Sequence, residues 1–367
     1  MKKTVRSEIP FEIGILTAIV IMTVGKAWLA SLGNPAVFTI LFVWIFGVML
    51  VLSFRVVHHA DALAVLLGEP YGTLILTLAA VGIEAVLISA MMLTGNQAPT
   101  MARDTMFSVL MIILNGMIGI TLLIGGLRHF EQRINRQGVK AYLGVLFPLA
   151  VLGLVIPRFT TSAPGGQVSP LMAVYLVIMS SGLYALFLVV QTMRHSPYFK
   201  EPPGEDGAEL PLHEDMAVRS VAYHAIFLIL TMLPVILLSK SMAQIVDYSL
   251  QVLSAPRKLG GFLVAILVLS PEGLGAIRAA LANRLQRTMN IALGSALSTI
   301  GMTIPAVLVL GLITDHTVEL GLSPVDAILL MLTIFITTVH FSATRTNVLQ
   351  GAIHLILFFS YVVLIFD

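Results

Sequence analysis

Two glutamates stand among apolar residues in the middle of long hydrophobic stretches of this sequence. Glu84 and Glu272 lie deep within such stretches, whereas the other members of the set of 19 acidic residues lie near their ends, in loops or at the termini. A charge at the centre of a bilayer costs about 2.5–3.5 kcal/mol on insertion scales, so such a residue indicates a bound cation, a proton or a water-filled cavity. Because burial favours the protonated form of a carboxyl group, protons and metal cations compete for it.

Oxygen-bearing side chains accompany the two glutamates on neighbouring helical faces. A serine follows each glutamate at nearly the same distance, 24 residues after Glu84 and 23 residues after Glu272. One buried glutamate is readily explained as a neutral acid bonded to a neighbouring helix, whereas two in matching positions would require that coincidence twice. A single hydroxyl can also hold two helices together. For any one of these side chains taken alone, that explanation is as good as ion binding. The predicted cation- and proton-binding residues are Glu84, Glu272, Ser108, Ser295, Ser270, Asn115 and Thr77.

The chemistry of these groups fits metal cations together with protons. Ca2+ takes about six to eight oxygen ligands and Na+ needs fewer, so two carboxylates with hydroxyls, carbonyls and water can serve either ion. The sequence Ser-Pro-Glu-Gly at 270–273 predicts an interrupted helix, whose freed carbonyls would add ligands. If the site cannot cross the membrane empty and charged, competition becomes exchange, with a cation leaving as protons enter.

The stretches that carry these residues are membrane spans by composition. Apolar residues make up 57% of the 367-residue chain, charged residues make up 11%, and the mean hydropathy is +0.96. A soluble protein carries about 25% charged residues, so a cytosolic enzyme, a disordered chain and a nucleic-acid binder are excluded. The net charge of +2 indicates no polyanionic partner, and a sequence without cysteine excludes disulfides and thiolate metal sites.

Eleven stretches are long enough for a membrane helix, which needs about 20 mostly apolar residues. Of the 21 lysines and arginines, 15 fall on the side of the N-terminus and 6 on the other side. The positive-inside rule therefore predicts a cytoplasmic N-terminus and an external C-terminus. Spans 1 to 11 are predicted at 11–32, 36–57, 70–93, 103–127, 139–157, 169–192, 220–239, 259–281, 289–313, 325–344 and 348–366.

A polar, acidic and proline-rich segment divides these spans into two groups. It is interpreted as a solvated cytoplasmic linker, with a cation-attracting or regulatory role as the alternative. With span 1 set aside, five spans lie on each side, and an odd number inverts the second group, as in many secondary transporters. The predicted fold is an all-α polytopic membrane protein of eleven transmembrane helices, one extra N-terminal helix plus two inverted five-helix repeats. The predicted domains are 1–34 (tail and first helix), 35–195 (first repeat), 196–218 (linker) and 219–367 (second repeat).

Four motifs are distinctive. They are His-His-Ala-Asp at 58–61, Gly-Glu-Pro-Tyr-Gly at 68–72, Leu-Ser-Pro-Glu-Gly at 269–273 and Phe-Ser-Ala-Thr-Arg-Thr-Asn-Val-Leu at 341–349. Over nearly the whole chain the sequence resembles the cation/calcium exchanger superfamily, in particular the calcium/proton exchangers (the CAX family) and their bacterial ChaA-type branch. The resemblance implies eleven spans, inverted five-helix repeats, an acidic linker after span 6 and one ion-binding glutamate in each repeat. Glu84 and Glu272 match those glutamates, and Ser108 and Ser295 match the serines of the following helix.

The chain departs from this family beside both glutamates. The family usually has Gly-Asn-Ala-x-Glu in each repeat, whereas residues 80–84 are Ala-Val-Gly-Ile-Glu and residues 268–272 are Val-Leu-Ser-Pro-Glu. Two amide oxygens are therefore lost, which leaves room for Na+ or K+ beside Ca2+. The ChaA-type branch is associated with exchange of all three cations for protons.

Glu69, Asp61 and His59 are candidates for an entrance or gate on the cytoplasmic side. Glu69 precedes a proline at the start of span 3, where it either favours the helix start through the dipole or attracts cations. His59 and Asp61 follow span 2, where an entrance or pH-sensing role stands against plain surface polarity.

These observations predict a secondary antiporter, not an enzyme, in the inner membrane of a bacterium. It would exchange cytoplasmic Ca2+, Na+ or K+ for external protons without a cofactor. Its partners would be inorganic cations, protons and the lipid bilayer, with no nucleic acid and with a homo-oligomer left open. The alternatives are a membrane-embedded enzyme that uses the paired acids and an uncoupled cation channel; the sequence contains no P-loop for ATP-driven pumping.

Overall fold

Long helices make up most of the chain, as its apolar runs predict. The computed structural model describes residues 8–68, 71–94, 99–202, 219–252 and 254–367. Two short strands, β1 (Gln132–Arg133) and β2 (Arg345–Thr346), pair antiparallel, with Gln132 opposite Thr346. The helices are α1 Ile9–Thr23, α2 Gly25–Leu29, α3 Pro35–Leu67, α4 Tyr71–Thr94, α5 Met101–His129, α6 Arg136–Phe159, α7 Pro170–Arg194, α8 Val221–Val252, α9 Lys258–Leu281, α10 Leu285–Thr314, α11 Pro324–His340 and α12 Val348–Phe366.

Each of the eleven predicted spans overlaps one of these helices. In the described part of the chain, eight helices are long and apolar enough to cross a membrane, and shorter apolar helices occur at Ile9–Thr23, Val81–Ala90 and Pro324–His340. The boundaries differ most clearly in four places. The first span is divided at Val24 into α1 and α2, and α11 ends at His340 rather than at residue 344. Helix α3 continues to Leu67 rather than ending at residue 57, and α8 continues to Val252 rather than ending at residue 239.

Side-chain caps fix the starts of several helices. An asparagine or serine precedes the first helical residue and accepts a hydrogen bond from a backbone N–H of the first turn, which satisfies one of its unpaired donors. A proline directly follows the cap in α3, α7 and α11, where its missing N–H costs nothing. The capping residues are Asn34 of α3, Asn135 of α6, Ser169 of α7, Ser323 of α11 and Asn347 of α12.

The chain divides into two compact units, and each unit takes helices from both sides of the linker. The first unit comprises residues 1–101 and 215–271. In it α3 packs against α1, α4 and α8, and α8 also packs against α1 and α4. The core of this unit is aliphatic, with the side chains of Ile45, Met49 and Leu52 from α3 and Leu238 and Ile245 from α8 fully buried.

The second unit comprises residues 102–214 and 272–367. In it α12 packs against α5, the first part of α10 packs against α6, and the last part of α10 packs against α7. Close approach depends on small residues. A Cβ atom on Gly351 of α12 would lie 2.5 Å from the backbone nitrogen of Leu123 in α5, so only glycine permits this contact.

Four helices of the second unit contain a π-helical segment, α6 at Val151–Val155 and α7 at Val190–Arg194 among them, and those of α5 and α10 lie at corresponding positions. The segment Ile112–Met117 of α5 starts four residues after Ser108, and the segment Thr299–Thr303 of α10 starts four residues after Ser295. A glycine in each segment lies beneath an aromatic ring: an added Cβ would approach Phe358 of α12 to 3.2 Å at position 116 and Tyr184 of α7 to 2.8 Å at position 301. Wider helical turns of this kind are frequent at functional sites.

The predicted interruption at residues 270–273 is wrong. Helix α9 is continuous from Lys258 to Leu281 with Pro271 inside it. Proline removes one backbone donor, and the apolar helix on both sides retains the remaining hydrogen bonds. The irregular backbone that the sequence suggested in α9 therefore occurs instead in the π-helical segments of α5 and α10.

Several sequence predictions fall outside the described residues. These are Glu69, the side chain of Thr77, the N-terminal residues 1–7 and the acidic linker residues 203–218.

Candidate functional site

The first unit contributes one predicted glutamate and one predicted serine. Glu84 lies in α4 with a relative exposure of 3%. Ser270 lies in α9, where its hydroxyl donates to the carbonyl of Ile266 at 2.6 Å. That bond uses the hydroxyl proton and leaves the oxygen lone pairs of Ser270 as acceptors.

The second unit contains the other predicted glutamate and the remaining two predicted serines. Glu272 of α9 and Ser295 of α10 are half-buried, and Ser108 of α5 is fully buried. The hydroxyl of Ser108 donates to the carbonyl of Asp104 at 2.6 Å and lies 2.6 Å from the hydroxyl of Tyr361. Because Ser108 has a single proton, Tyr361 is the donor in the second bond, and one lone pair on Ser108 is left for a ligand.

Asn115 lies in the π-helical segment of α5 and is fully buried. Its side-chain nitrogen donates to the hydroxyl of Thr333 in α11 at 2.9 Å. Its side-chain oxygen lies 3.3 Å from Nδ1 of His354 in α12, which is also fully buried. Asn115 thus joins three helices of the second unit, and its amide oxygen is already engaged by an imidazole.

The sequence missed Tyr361, Thr333 and His354 as partners of the predicted ligands. Each lies more than 200 positions away from its partner along the chain. The sequence showed only that they are polar residues within apolar spans. Such a residue is expected to make a polar contact, but its polarity does not indicate which residue it contacts.

The predicted entrance residues differ in their surroundings. Asp61 is half-buried on α3, whereas His59 has a relative exposure of 0%, so plain surface polarity is wrong for His59. Its ring contacts a group of charged and aromatic side chains in the first unit. Nε2 of His59 lies 3.3 Å from a carboxylate oxygen of Glu8, and Nδ1 lies 3.0 Å from Nδ1 of His224 in α8.

The described residues contain no group of three or more histidine, aspartate or glutamate side chains arranged to hold a metal ion. Each unit contains one predicted glutamate and at least one predicted serine, with Glu84 and Ser270 in the first and Glu272, Ser108 and Ser295 in the second. Carboxylate and hydroxyl oxygens suit a hard cation that binds weakly enough to be released.

Comparison with known proteins identifies the family. The model of the family described as "Sodium/calcium exchanger protein" matches residues 37–193 and 223–366. The chain is 39% identical over 97% of its length to the sodium-potassium/proton antiporter ChaA of Escherichia coli (strain K12), of which it covers 96%. The chain belongs to the sodium/calcium exchanger protein family.

Solved structures of similar fold agree with this assignment. Native YfkE gives a TM-score of 0.74 at 16% identity, with 97% of this chain and 99% of that chain covered. The H+/Ca2+ exchanger CAX gives a TM-score of 0.66 at 12% identity, with 96% and 89% covered. The predicted membership in the cation/calcium exchanger superfamily, in its calcium/proton exchanger family and ChaA-type branch, is therefore confirmed.

The family match covers both groups of predicted site residues. Both matched stretches contain one predicted glutamate and its following serine, and the acidic linker falls between them. Glu8, which contacts His59, precedes the first matched stretch. The first helix, Ile9–Thr23, and the glutamate that precedes it therefore lie outside the matched stretches.

Proposed function

We propose that this exchanger is a secondary antiporter that moves Ca2+, Na+ or K+ out of the cytoplasm in exchange for external protons by alternating access. The observation that carries the proposal is the correspondence of Glu84 and Glu272. Each is followed by a serine, and each serine lies four residues before a π-helical segment. ChaA is described as a sodium-potassium/proton antiporter and YfkE as a Ca2+/H+ antiporter, which supports both classes of cation.

In this proposal the two glutamates bind the cation and the protons alternately. Ionised carboxylates attract a cation, and protonation removes the charge that holds it. A pair of ionised carboxylates without a cation would be expensive to carry across the bilayer centre, so the empty charged state is avoided. Movement with either cation or protons bound is therefore favoured, and this restriction couples the two fluxes.

The proposed ligands around the carboxylates are neutral oxygen atoms. Ser108, Ser295, Ser270, Asn115 and Thr77 would supply hydroxyl and amide oxygens, completed by carbonyls and water. This chain lacks the asparagine that stands three positions before the glutamate in the usual motif of the family, because Val81 and Leu269 occupy those positions. Fewer strong ligands suit monovalent cations as well as Ca2+, because Na+ and K+ need less charge compensation.

The inverted repeat is part of the same proposal. The first three helices of each set have closely similar lengths, with 33 residues in α3 against 32 in α8 and 24 in both α4 and α9. Helices α5 and α10 have 29 and 30 residues. We assign the inner membrane of a bacterium as the location, with the N-terminus in the cytoplasm by the distribution of lysine and arginine.

Transport in proteoliposomes tests the proposal. A proton gradient is imposed, Ca2+, Na+ and K+ are added in turn, and both cation uptake and gradient collapse are recorded. Glu84→Gln and Glu272→Gln should each abolish exchange in a folded protein, because glutamine keeps the shape of the side chain but cannot release a proton.

The matched control is Glu12→Gln, which removes an exposed carboxylate from the first turn of α1 and should leave exchange unchanged. Full activity in both glutamate variants would refute the proposed site. Cation flux without proton counterflow would identify an uncoupled channel instead.

A further inference from the structure

A buried cluster of polar side chains joins α1, α3 and α8 at one end of the first unit. Glu8 precedes α1 and is 4% exposed. Its carboxylate accepts hydrogen bonds from Arg55 of α3 at 2.6 Å and from the hydroxyl of Tyr223 in α8. Its second oxygen faces Nε2 of His59, and His59 in turn faces His224.

The positions of the protons in this cluster follow from one backbone donor. The N–H of Arg219 points at Nε2 of His224 at 3.1 Å, so this nitrogen carries a lone pair. A neutral His224 must then be protonated at Nδ1, which donates to Nδ1 of His59 at 3.0 Å. His59 must therefore be protonated at Nε2, which donates to Glu8 at 3.3 Å.

These assignments form a single directed row of hydrogen bonds from Arg219 through His224 and His59 to Glu8. All four ring nitrogens of the two histidines are engaged, and both rings are neutral. A second proton on His59 would place two N–H groups face to face between the rings. A second proton on His224 would oppose the backbone N–H of Arg219. Neither ring can therefore become charged without the loss of a hydrogen bond.

Two arginines stand against one glutamate around the pair, so its surroundings are already net positive. Arg55 and Glu8 form an ion pair beside His59. Arg55, Arg219, His58 and Glu8 are the titratable or charged groups that act on the two rings, and Tyr223 is neutral. An added proton would leave an uncompensated positive charge in a buried place. This cost is reduced when the side chains of the cluster move apart.

The two ends of the row lie at the starts of two helices, α1 and α8. Glu8 is the residue at the start of α1, and the ring of Phe11 in the same helix packs edge-on against Phe227 of α8 at 6.2 Å. Arg219 and His224 lie where the chain enters α8 from the acidic linker. Loss of the row would remove one of the contacts that hold Glu8 at the start of α1, leaving those from Arg55 and Tyr223, and would also loosen the start of α8.

We propose that His59 and His224 form a second proton-binding site, separate from the transport glutamates, which loosens α1 and slows exchange when the cytoplasmic side becomes acidic. The proposal rests on the proposed function for its effect on exchange and on the predicted cytoplasmic location of the N-terminus. Exchange is expected to slow, and not to speed up, at acid pH because the neutral row holds the unit together and protonation breaks the row. Because burial and the hydrogen-bonded row both oppose an added proton, the pair becomes charged only when the cytoplasmic side is distinctly acidic.

The first arm of the test measures exchange in proteoliposomes of the full chain while the pH on the N-terminal side is varied between about 4 and 8, because burial moves the charging of a histidine to lower pH. His59→Gln and His224→Asn keep a hydrogen-bonding amide but cannot be protonated. We expect the acid limb of the wild-type profile to move down by about one pH unit in each variant, equivalent to a tenfold change in proton affinity. His316→Gln, which alters a histidine bonded to the carbonyl of Thr314 in the second unit, should match the wild type.

The second arm does not depend on transport. In protein labelled with 15N-histidine, nitrogen NMR at about pH 8 should report a neutral His224 protonated at Nδ1 and a neutral His59 protonated at Nε2. The protection of residues 9–23 against hydrogen exchange, taken relative to the intrinsic rate at each pH, should fall as the pH falls in the wild type but not in the two variants. This arm needs only the folded wild type for the tautomers, so a variant that does not fold leaves the test intact.

Two results would overturn the inference. One is the same tautomer in both rings, and the other is an acid limb that is identical in the wild type and both variants. If the chain proves inactive in every exchange assay while the tautomers and hydrogen exchange behave as expected, the proposed function fails and the proton-binding site stands.

Discussion

At the scale of single residues, hydrogen bonding decides which predicted ligand is available to an ion. Ser108 is matched to Ser295 by position in the chain, but the two differ in environment: Ser108 is fully buried with a bond from Tyr361, whereas Ser295 is half-buried. A buried serine with its proton already used presents a fixed acceptor, while a more exposed one can reorient. The two halves of the proposed site are therefore alike in composition and unlike in rigidity.

The sequence identified the residues with unusual polarity but not their partners. Glu84, Ser108 and Asn115 stood out because an apolar span has few such side chains. The contact of Asn115 with His354, and that of His59 with Glu8, depend on which helices pack together and at what rotation. Those choices arise from many small packing energies that no single residue reveals.

Glu201 allows a pH prediction outside the membrane spans. Its two carboxylate oxygens accept from the backbone N–H groups of Gln286 and Arg287, in the first turn of the helix that carries Ser295. Burial raises the pKa of Glu201, with those two donors opposing the rise. A raised pKa in the folded state means that the contribution of Glu201 to stability is present at acid pH and is lost as the pH rises through that pKa.

We expect Glu201→Gln to remove this dependence, because the amide oxygen keeps one cap bond and cannot ionise. The difference in unfolding free energy between wild type and variant should favour the wild type most below about pH 4.3 and should fall toward neutral pH. Thermal unfolding in detergent at a series of pH values measures it. A difference that does not change with pH would contradict the assignment.

At the scale of helices, length and hydropathy predicted nearly every element, because a membrane span requires an apolar run whatever its partners are. The π-helical segments could not be read from the sequence. In α5 and α10 they coincide with Gly116 under Phe358 and Gly301 under Tyr184, contacts that depend on which helices pack together. The proline in α9 was misleading for the same reason: surrounding packing keeps the helix continuous where local preference alone would break it.

Gly351 gives a prediction for the packing of α12 on α5. An added methyl group would lie 2.5 Å from the backbone nitrogen of Leu123 and 2.9 Å from the carbonyl oxygen of Gly119, and backbone atoms cannot move aside cheaply. Gly351→Ala should therefore destabilise the protein by about 1–3 kcal/mol, as overpacked cores do. The lowering of the unfolding temperature in detergent reports the effect.

Gly144→Ala is the matched control, because a Cβ at that position in α6 meets nothing within 4 Å. This substitution should be neutral or slightly stabilising, since alanine favours a helix more than glycine does. Equal losses of stability at positions 351 and 144 would show that close approach is not the cause.

At the scale of the whole molecule, the spatial units cut across the order of the chain. Sequence composition divides the chain at the acidic linker, yet α8 packs with α1, α3 and α4, while α10 to α12 pack with α5 to α7. Composition could predict the linker and the number of apolar runs, but not this exchange of helices. In a bilayer every span is equally apolar toward lipid, so neighbours are selected by shape and small residues rather than by hydrophobicity.

The orientation in the membrane is testable because the sequence contains no cysteine. Gln137→Cys and Ser162→Cys place single reactive thiols at exposed positions on either end of α6. We expect a membrane-impermeant maleimide to label Ser162→Cys in intact cells and Gln137→Cys only after permeabilisation, because the positive-inside rule puts the N-terminus in the cytoplasm. The reverse pattern would invert the predicted topology.

The rings that cover the π-helical segments of α5 and α10 have a consequence for how the polypeptide can be divided. Phe358 comes from the last helix of the chain and covers α5, while Tyr184 comes from the last helix before the linker and covers α10. If the gene were cut at the linker, each fragment would contain the aromatic ring that packs on the π-helical segment of the other fragment. The π-helical segment within each fragment would then lack its ring. Such fragments should be stable only when they are co-expressed.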